Sequence, residues 1–493
     1  MRGRRLAWLL LGLCTAAVGC SDDPGAEAGG VRVKSFRRHV TATGVVDVPP
    51  DSSSSPVEMF RLEGEEYLPV AGTMSQAGTY VFKDAPEGTY YLRHGTHMFV
   101  TDAREVDLSG IWLGRPEVER LENELKVHVS VDGLEPWVNP VGRGSGLDFV
   151  AEQVDAFVGM DVSAQDGATS VEDPDSAVWM ALGVPARFKG GEDDRGWILQ
   201  RTPRTLMATG GGLPLTYDSV GRALRLPPLA YDGSGPLRLR GTLQPVPMKE
   251  LALDWRLSAF TDLSADAHPA AKGRGFSFQL HPAPHGLAHG WAGYSGWLLS
   301  MVRSLSSPTI AGRFVYGNPY PSDWEEVLYA IVRFSVPVET VDGTPFTTTT
   351  SIEVTGAPSA LTAKPLVPVV GPPRGFRVAG HEASASRTLP PGSVVVEWQP
   401  PALGTPNGYR VRVIQWVQDG ASRFERSVLR VVMDGATTSV RIPHGTLVSG
   451  QKYLIRVEAI QDPGLDPKVR PFISSGNAMA GTASTVSGLL TIQ

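Results

Sequence analysis

The chain has 493 residues, which at roughly 150 residues per domain is too long for one core and predicts about three units. Apolar residues make up 42% and charged residues 19%, and the 55 glycines and 40 prolines follow no triplet period, so disordered, coiled-coil and collagen-like chains are excluded. The formal charge of −6, without a long basic run, argues against a nucleic-acid partner.

The first twenty residues carry an export signal. A basic start leads into an apolar stretch, residues 6–13, which is too short to span a bilayer. The run that follows, Ala17-Val18-Gly19-Cys20, resembles the bacterial lipobox. This resemblance implies cleavage before Cys20 and acylation of that cysteine, so that acyl chains form the contact with the membrane. The alternative is an ordinary signal peptide, residues 1–19, followed by a chance cysteine.

The start of the mature chain indicates its compartment. Ser21 is not the aspartate that bacterial sorting often treats as an inner-membrane retention signal, which favours the outer membrane of a bacterial cell envelope. Residues 20–34 are polar and Gly-rich at first, and we assign them to a flexible tether. Cys14 leaves with the signal and Cys20 is acylated, so no thiol remains for a disulfide and stability must come from packed cores.

Residues 35–113 have the pattern of a small β-sandwich. Short β-rich runs at 39–48, 57–62, 78–82 and 89–93 are separated by turn material. The segment from Gly78 to Leu92, GTYVFKDAPEGTYYL, resembles the strand, turn and strand of the prealbumin-like, carboxypeptidase-regulatory-like sandwich. The resemblance implies a stalk or spacer and adds no catalytic residue.

The middle region, residues 114–365, alternates with period two at 125–131, 251–259 and 330–338. Antiparallel sheets commonly pack one face on a core and expose the other to solvent, which gives this alternation. The pattern therefore predicts antiparallel sheets, arranged as either one large sandwich or two small ones. Two stretches also fit a helix. Apolar residues between 147 and 157 follow helical spacing, and Ser322 has the chemistry of a cap for a helix that begins at 323.

The last unit, residues 366–493, follows a proline-rich stretch that predicts a stiff linker. Trp398 ends one strand, and Leu447 precedes Tyr453 by six residues in front of another. These features resemble a fibronectin type III domain. The resemblance implies that Trp398 is the core tryptophan and that the phenol of Tyr453 ties a crossover loop back to the sandwich. The long segment 461–477 would join the last two strands, and it contains no Arg-Gly-Asp.

Three histidines form the best metal candidate in the sequence. His281, His285 and His289 have a spacing of four that would align imidazoles on a helix, but the prolines and glycines among them make a helix implausible. A folded loop would still bring them together. The alternative is a loop with polar histidines and no metal, and we predict no cofactor.

Aromatic residues gather in the same part of the chain, with Trp291, Trp297 and Trp324 as candidate ligand-binding residues. Exposed rings of this kind stack on sugar faces, whereas buried rings are ordinary packing material in sandwich cores. No segment has the glycine-rich motif that cradles phosphates, and the nearest match to a hydrolase serine elbow, around Ser295, lacks its second glycine.

The sequence therefore predicts an all-β, multidomain string of antiparallel β-sandwiches with little helix. The predicted function is that of a lipid-anchored extracytoplasmic surface protein, a structural, adhesive or ligand-binding module without catalysis and with no catalytic residue assigned. Its partner would be a protein or a carbohydrate at the cell surface. The alternative is a secreted hydrolase that acts on polysaccharide or peptide, with its site in residues 114–365.

Overall fold

The computed structural model of the protein describes residues 30–50, 56–139, 144–206, 214–291, 295–305, 307–339, 343, 345–419, 422–474 and 479–493. Strands account for 55% and helices for 5% of the described part, and most strand pairs are antiparallel, so the predicted all-β class is confirmed. Cys20 and the export signal lie outside the described residues. In the part of the chain that the structure describes, none of the helices has the length and apolar character that crossing a bilayer requires.

The first unit is a sandwich with a small additional sheet. Its strands are β1 (Val31–Lys34), β2 (Arg37–Thr41), β3 (Gly44–Val48), β4 (Val57–Glu63), β5 (Glu66–Val70), β6 (Thr73–Gln76), β7 (Thr79–Phe82), β8 (Tyr90–His94), β9 (His97–Thr101), β10 (Glu105–Asp107) and β11 (Gly110–Leu113). Sheet β10-β1-β7-β6 packs on sheet β5-β4-β8-β9, and β2 pairs with β3 and β11. Val31 and Val33 are buried in this core, so the predicted tether ends before residue 31.

The described strands of the middle region outnumber those of either of the other two units. They are β12 (Val127–Asp132), β13 (Gly146–Ala151), β14 (Ala156–Asp161), β15 (Ser170–Asp173), β16 (Ala177–Leu182), β17 (Phe188–Lys189), β18 (Trp197–Leu206), β19 (Leu215–Arg225), β20 (Ala230–Tyr231), β21 (Leu237–Thr242), β22 (Gln244–Pro245), β23 (Met248–Trp255), β24 (Lys272–Ala283), β25 (Leu299–Arg303), β26 (Ile310–Gly317), β27 (Glu325–Glu339) and β28 (Pro345–Gly356). The helices are α1 (Leu257–Thr261), α2 (Ser264–Ala267) and α3 (Pro358–Thr362), with 3-10 turns at Glu152–Val154 and Glu192–Asp194.

Two cores divide these strands. The first lies between β15-β12-β21 and β16-β14-β13-β18, with Val129, Phe149 and Val158 at its centre. The second lies between β25-β24-β27-β28 and the antiparallel pair of β23 and β26, around Trp255 and Phe278. Strand β19 pairs with both β18 and β25 and so connects the two sheets.

Neither stretch that fits a helix forms an α-helix, since strands occupy most of both, and the reason differs between them. All six residues of β13 are buried, because one face of the strand lies on the first core and the other face under loops of the second. Such a strand loses its period-two signal and imitates helical spacing. The predicted cap at Ser322 precedes β27, which runs to Glu339 and whose pairing with β24 and β28 outweighs local helix propensity. Conversely, the strand predicted over 251–259 ends at Trp255, and α1 follows.

The last unit is a β-sandwich of two facing sheets. Its strands are β29 (Arg374–Val378), β30 (His381–Glu382), β31 (Arg387–Leu389), β32 (Val394–Gln399), β33 (Gly408–Asp419), β34 (Ser422–Asp434), β35 (Ser439–Ile442), β36 (Lys452–Gln461), β37 (Ala480–Val486) and β38 (Leu490–Ile492). Sheet β30-β29-β32-β35 faces β34-β33-β36-β37. The predicted linker is packed rather than free, since Leu366 is buried and its N–H donates to the Asp254 carbonyl.

The three units share sheet edges. Strand β37 pairs with β28 of the middle region, and β34 pairs in parallel with β9 of the first unit, where Val431 lies opposite Met98. A continuous sheet therefore runs from the middle region through the last unit into the first. These pairings cover strand edges that would otherwise present unpaired N–H and carbonyl groups.

Candidate functional site

A buried ion pair lies under the aromatic segment of the middle region. Arg201 on β18 donates from Nε to the carboxylate of Asp148 on β13 over 2.6 Å. Asp148 is completely buried, and burial raises the pKa of its carboxyl although the charge of Arg201 opposes this. The pair joins two neighbouring strands of one sheet. Removing one partner would leave an uncompensated charge in the interior, so loss of either residue should destabilise the protein.

Trp297 covers this ion pair together with Trp179. The guanidinium carbon of Arg201 lies 5.3 Å from the ring centroid of Trp297 and 5.6 Å from that of Trp179. The two ring centroids are 5.7 Å apart. The two distances from the guanidinium carbon to the ring centroids fall within the roughly 6 Å range of a cation–π contact. The structure thus places Trp297, a candidate from the sequence, against an arginine of its own chain.

The other two candidate tryptophans are also engaged within the chain. Trp324 is buried and stacks on Tyr320, with 4.3 Å between ring centroids. Trp291 is half-buried, and its ring centroid lies 5.6 Å from that of His281. The three rings therefore pack on different neighbours and do not form one flat open surface on which a sugar would stack.

The three candidate metal ligands are held apart. His281 is buried on β24 and donates from Nδ1 to the Gly296 carbonyl over 2.8 Å, and burial lowers its pKa to about 4. His285 Nε2 lies 2.6 Å from the amide nitrogen of Gln153, whereas His289 is exposed. Within the described ranges no group of three His, Cys, Asp or Glu side chains is placed to hold a metal ion. The metal hypothesis required all three histidines in one folded loop, but His281 belongs to strand β24, and His285 and His289 lie in the turns after it.

A cleft of about 930 Å³ lies between the first and last units, and we call it the inter-unit cleft. Its apolar lining comes from Phe60 and Leu68 of the first unit and from Val428 of the last, with Met98 beneath them. Charged and polar groups also line the cleft, among them Glu65, Glu66, Arg93 and His444. Apolar side chains combined with polar groups are the usual composition of a ligand site.

Two contacts close one side of the inter-unit cleft. The hydroxyl of Tyr67 on β5 donates to the Arg441 carbonyl over 2.6 Å, and Arg441 pairs with Glu65 at 3.2 Å. Burial raises the pKa of Tyr67, so its phenol keeps the proton that it donates. Tyr67 and Arg441 lie far apart in the sequence, and neither carried a signal from which this contact could be predicted.

The long loop after β36 holds the first unit in place, and we call residues 462–474 the clamp loop. The N–H of Asp107 donates to the Val469 carbonyl over 2.7 Å, and Lys468 pairs with Asp102 at 3.0 Å. The ring of Phe472 meets that of Phe99 edge to face at 5.1 Å. The length of this loop was the one feature of the sequence that pointed to an additional role. In the structure, the added residues make contacts between the last unit and the first.

Comparisons with known proteins add fold-level neighbours only. No protein-family model and no curated protein matches the chain. Among solved structures it is similar to the chicken CNTN1 FN1-FN3 domains, with 15% identity over 70% of this chain and 92% of the other. Titin domains A168-A170 share 10% identity over 91% of each chain, and a Salmonella alpha-2-macroglobulin shares 13% over 88% of this chain and 28% of its own.

The TM-score is 0.14 for each of these matches. They carry no argument about function, and the β-sandwich assignment rests on the strands and registers described above. The resemblance of the first unit to prealbumin-like sandwiches stays a prediction.

Proposed function

We propose that the chain is a lipid-anchored protein of the bacterial cell envelope that acts as a scaffolding or adhesive module and binds a partner in the inter-unit cleft. The observation that carries this proposal is the cleft itself, whose walls are fixed by the pairing of β9 with β34. A site whose walls are already in place spends little free energy on ordering when a partner binds. The anchor rests on Ala17-Val18-Gly19-Cys20.

The anchor is tested by labelling cells with a fatty-acid analogue. Wild-type protein should label and partition with membranes, while Cys20→Ser should do neither. The matched control is Cys14→Ser, which removes the other cysteine of the chain and should label normally because it leaves with the signal. Normal labelling of Cys20→Ser would show that the lipoprotein assignment is wrong.

The cleft is tested by co-sedimentation of the purified chain with the outer-membrane fraction of its own bacterium, in the Cys20→Ser background so that acyl chains do not themselves sediment the protein. In that background Leu68→Glu places a charge among the apolar lining residues and should abolish sedimentation. Leu182→Glu, on an exposed position of β16 away from the cleft, makes the same chemical change and should sediment like wild type. Equal behaviour of the two variants contradicts a role for the cleft.

The hydrolase alternative makes a different prediction. A hydrolase with its site in residues 114–365 would release reducing sugar or peptide from the same fraction, and Leu68→Glu would leave that release unchanged. Asp148, the buried acid that reaches Trp297 through Arg201, is paired and has no exposed surface, and this favours the binding role.

A further inference from the structure

Three arginines stand in one row across the sheet of the last unit. Arg430 on β34 lies directly opposite Arg412 on β33, and Arg412 lies directly opposite Arg456 on β36. Directly opposite residues share a face, and neighbouring strands are about 4.8 Å apart. Arg410, two residues before Arg412, adds a fourth guanidinium to the same face. Like charges directly opposite one another destabilise a sheet, so folding alone does not favour such a row.

Acidic neighbours balance only part of this charge. Glu458 accepts hydrogen bonds from Arg410 at 2.7 Å and from Arg412 at 3.4 Å. Arg456 donates to the Thr349 carbonyl at 2.6 Å and lies 3.9 Å from Glu425. Among the described residues, four guanidiniums therefore share two ion-paired carboxylates.

The hydrogen-bond donors of the row are incompletely satisfied within the described chain. Within the described ranges, the hydrogen bond of Arg430 is a long one, 3.4 Å to Ser427 Oγ. The Nε atoms of Arg412 and Arg456 are buried without a hydrogen-bond partner in the described chain. Burial and the neighbouring charges of Arg412 and Arg410 lower the pKa of Arg430, as expected where cations crowd one another.

The row lies in a recess between two covering segments. On one side the hairpin of β27 and β28 packs Val338 and Phe346 over Ile414 and Leu454, which continue the same face. On the other side the clamp loop bounds a cavity of about 240 Å³ that Arg410 lines. The side chains of Arg410, Arg412 and Arg456 are 32%, 29% and 15% exposed. A thin chain reaches guanidiniums at this depth, whereas a flat bilayer surface does not.

We infer that this arginine row, formed by Arg410, Arg412, Arg430 and Arg456, binds an acidic polysaccharide through its carboxylates. A guanidinium donates two parallel hydrogen bonds to a carboxylate, and a row of guanidiniums one strand apart suits an extended chain with repeated carboxylates. The chain as a whole carries a formal charge of −6, without the broad basic surface that nucleic-acid binding requires. The inference is independent of the inter-unit cleft and of the acyl anchor.

Binding of the purified full-length chain to immobilised alginate, a polyuronate, tests the inference, with neutral dextran as the reference polymer. Wild type should bind alginate and not dextran, and binding should weaken from 50 to 200 mM salt because charge pairing is screened. Arg430→Gln should lose about tenfold or more in affinity, the size expected for one lost charged hydrogen bond. Arg313→Gln removes the same charge from an exposed position on β26 and should bind like wild type.

Thermal unfolding supplies a second readout. If Arg430 had only a structural role, Arg430→Gln would lower the Tm, whereas a binding role predicts no such loss. Arg430→Gln relieves the repulsion from Arg412, so its Tm should equal or exceed that of wild type while its affinity falls. The inference is overturned if wild type binds alginate no better than dextran, if it binds inorganic polyphosphate but not alginate, or if Arg430→Gln binds like Arg313→Gln. A lowered Tm with unchanged affinity would likewise assign Arg430 to the fold alone.

Discussion

The phenol oxygen of Tyr453 accepts a hydrogen bond from the backbone N–H of Val448, 3.0 Å away. This contact ties the crossover loop between β35 and β36 to the sandwich, and Leu447 beside it is buried. The spacing of Leu447 and Tyr453 predicted this tyrosine corner, and the hydrogen bond confirms it. Trp398, the predicted core tryptophan, is buried as well and meets the ring of Tyr409 at 5.3 Å.

Tyr453→Phe should weaken the protein modestly. The substitution keeps the ring and removes only the acceptor for the Val448 N–H. We therefore expect the free energy of unfolding to fall by about 0.5 to 1.5 kcal/mol, or by up to about 3 kcal/mol if no water replaces the lost acceptor. Chemical denaturation followed by tryptophan fluorescence measures this loss. A variant as unstable as a core truncation would mean that the ring, not the hydroxyl, carries the effect.

Trp398→Ala should cost far more, about 3 to 5 kcal/mol, because it leaves a cavity in a packed core. That is a large part of a typical stability of about 5 to 15 kcal/mol. The matched control is Trp112→Ala, since Trp112 lies on an exposed part of β11. Denaturation curves of the two variants should differ clearly, and similar curves would remove Trp398 from the core position.

The elements that could be predicted from sequence were those with one buried and one wet face. Strands such as β12 and β32 alternate, and the alternation gave their positions correctly. Strand β13 could not be found in this way, because loops cover its second face and bury Asp148 and Val150 there. Burial of both faces is a property of the tertiary structure, and local spacing does not encode it.

The candidate sites also separate into features that the sequence shows and features that only the tertiary structure sets. The sequence indicated aromatic and histidine side chains, but it did not show that Trp297 packs on Arg201 or that His281 lies in a strand. The inter-unit cleft and the arginine row depend on which strand edges meet. Arg412 and Arg456 look like ordinary outward positions of alternating strands until the register places them opposite each other.

The joint between the first and last units should depend on Phe472 more than on Lys468. Phe472 packs on Phe99, whereas the ion pair of Lys468 with Asp102 is exposed, and exposed pairs contribute about 0 to 1 kcal/mol. Phe472→Ala should therefore lower stability by about 1 to 3 kcal/mol and split the calorimetric transition, so that the first unit melts earlier. Lys468→Ala should keep a single transition.

Phe424→Ala is the control for the contact between the first and last units. Phe424 is an exposed phenylalanine on β34, the strand that pairs with β9 of the first unit. The variant should melt like wild type. If Phe472→Ala and Phe424→Ala give superimposable calorimetric traces, the clamp loop does not hold the first unit.

The last prediction concerns pH and the buried imidazole of His281. Burial lowers its pKa to about 4 in the folded chain, against an ordinary value near 6.5 when unfolded. Between these values the unfolded state binds a proton that the folded state does not, so stability is complete above about pH 6.5 and falls as the pH drops toward 4. A pKa difference of this size corresponds to roughly 3 kcal/mol by pH 4.

His281→Asn isolates this contribution, because the asparagine amide can take over the donation from Nδ1 to the Gly296 carbonyl while it does not titrate. Denaturation at pH 7.5 measures the cost of lost packing, and the further change down to pH 4.5 measures the proton. The variant should therefore lose clearly less stability than wild type over that interval, by up to about 3 kcal/mol. If the two proteins lost the same stability between pH 7.5 and 4.5, His281 would take up a proton in the folded state as readily as in the unfolded state. A charged imidazolium would then donate the buried hydrogen bond to the Gly296 carbonyl at low pH.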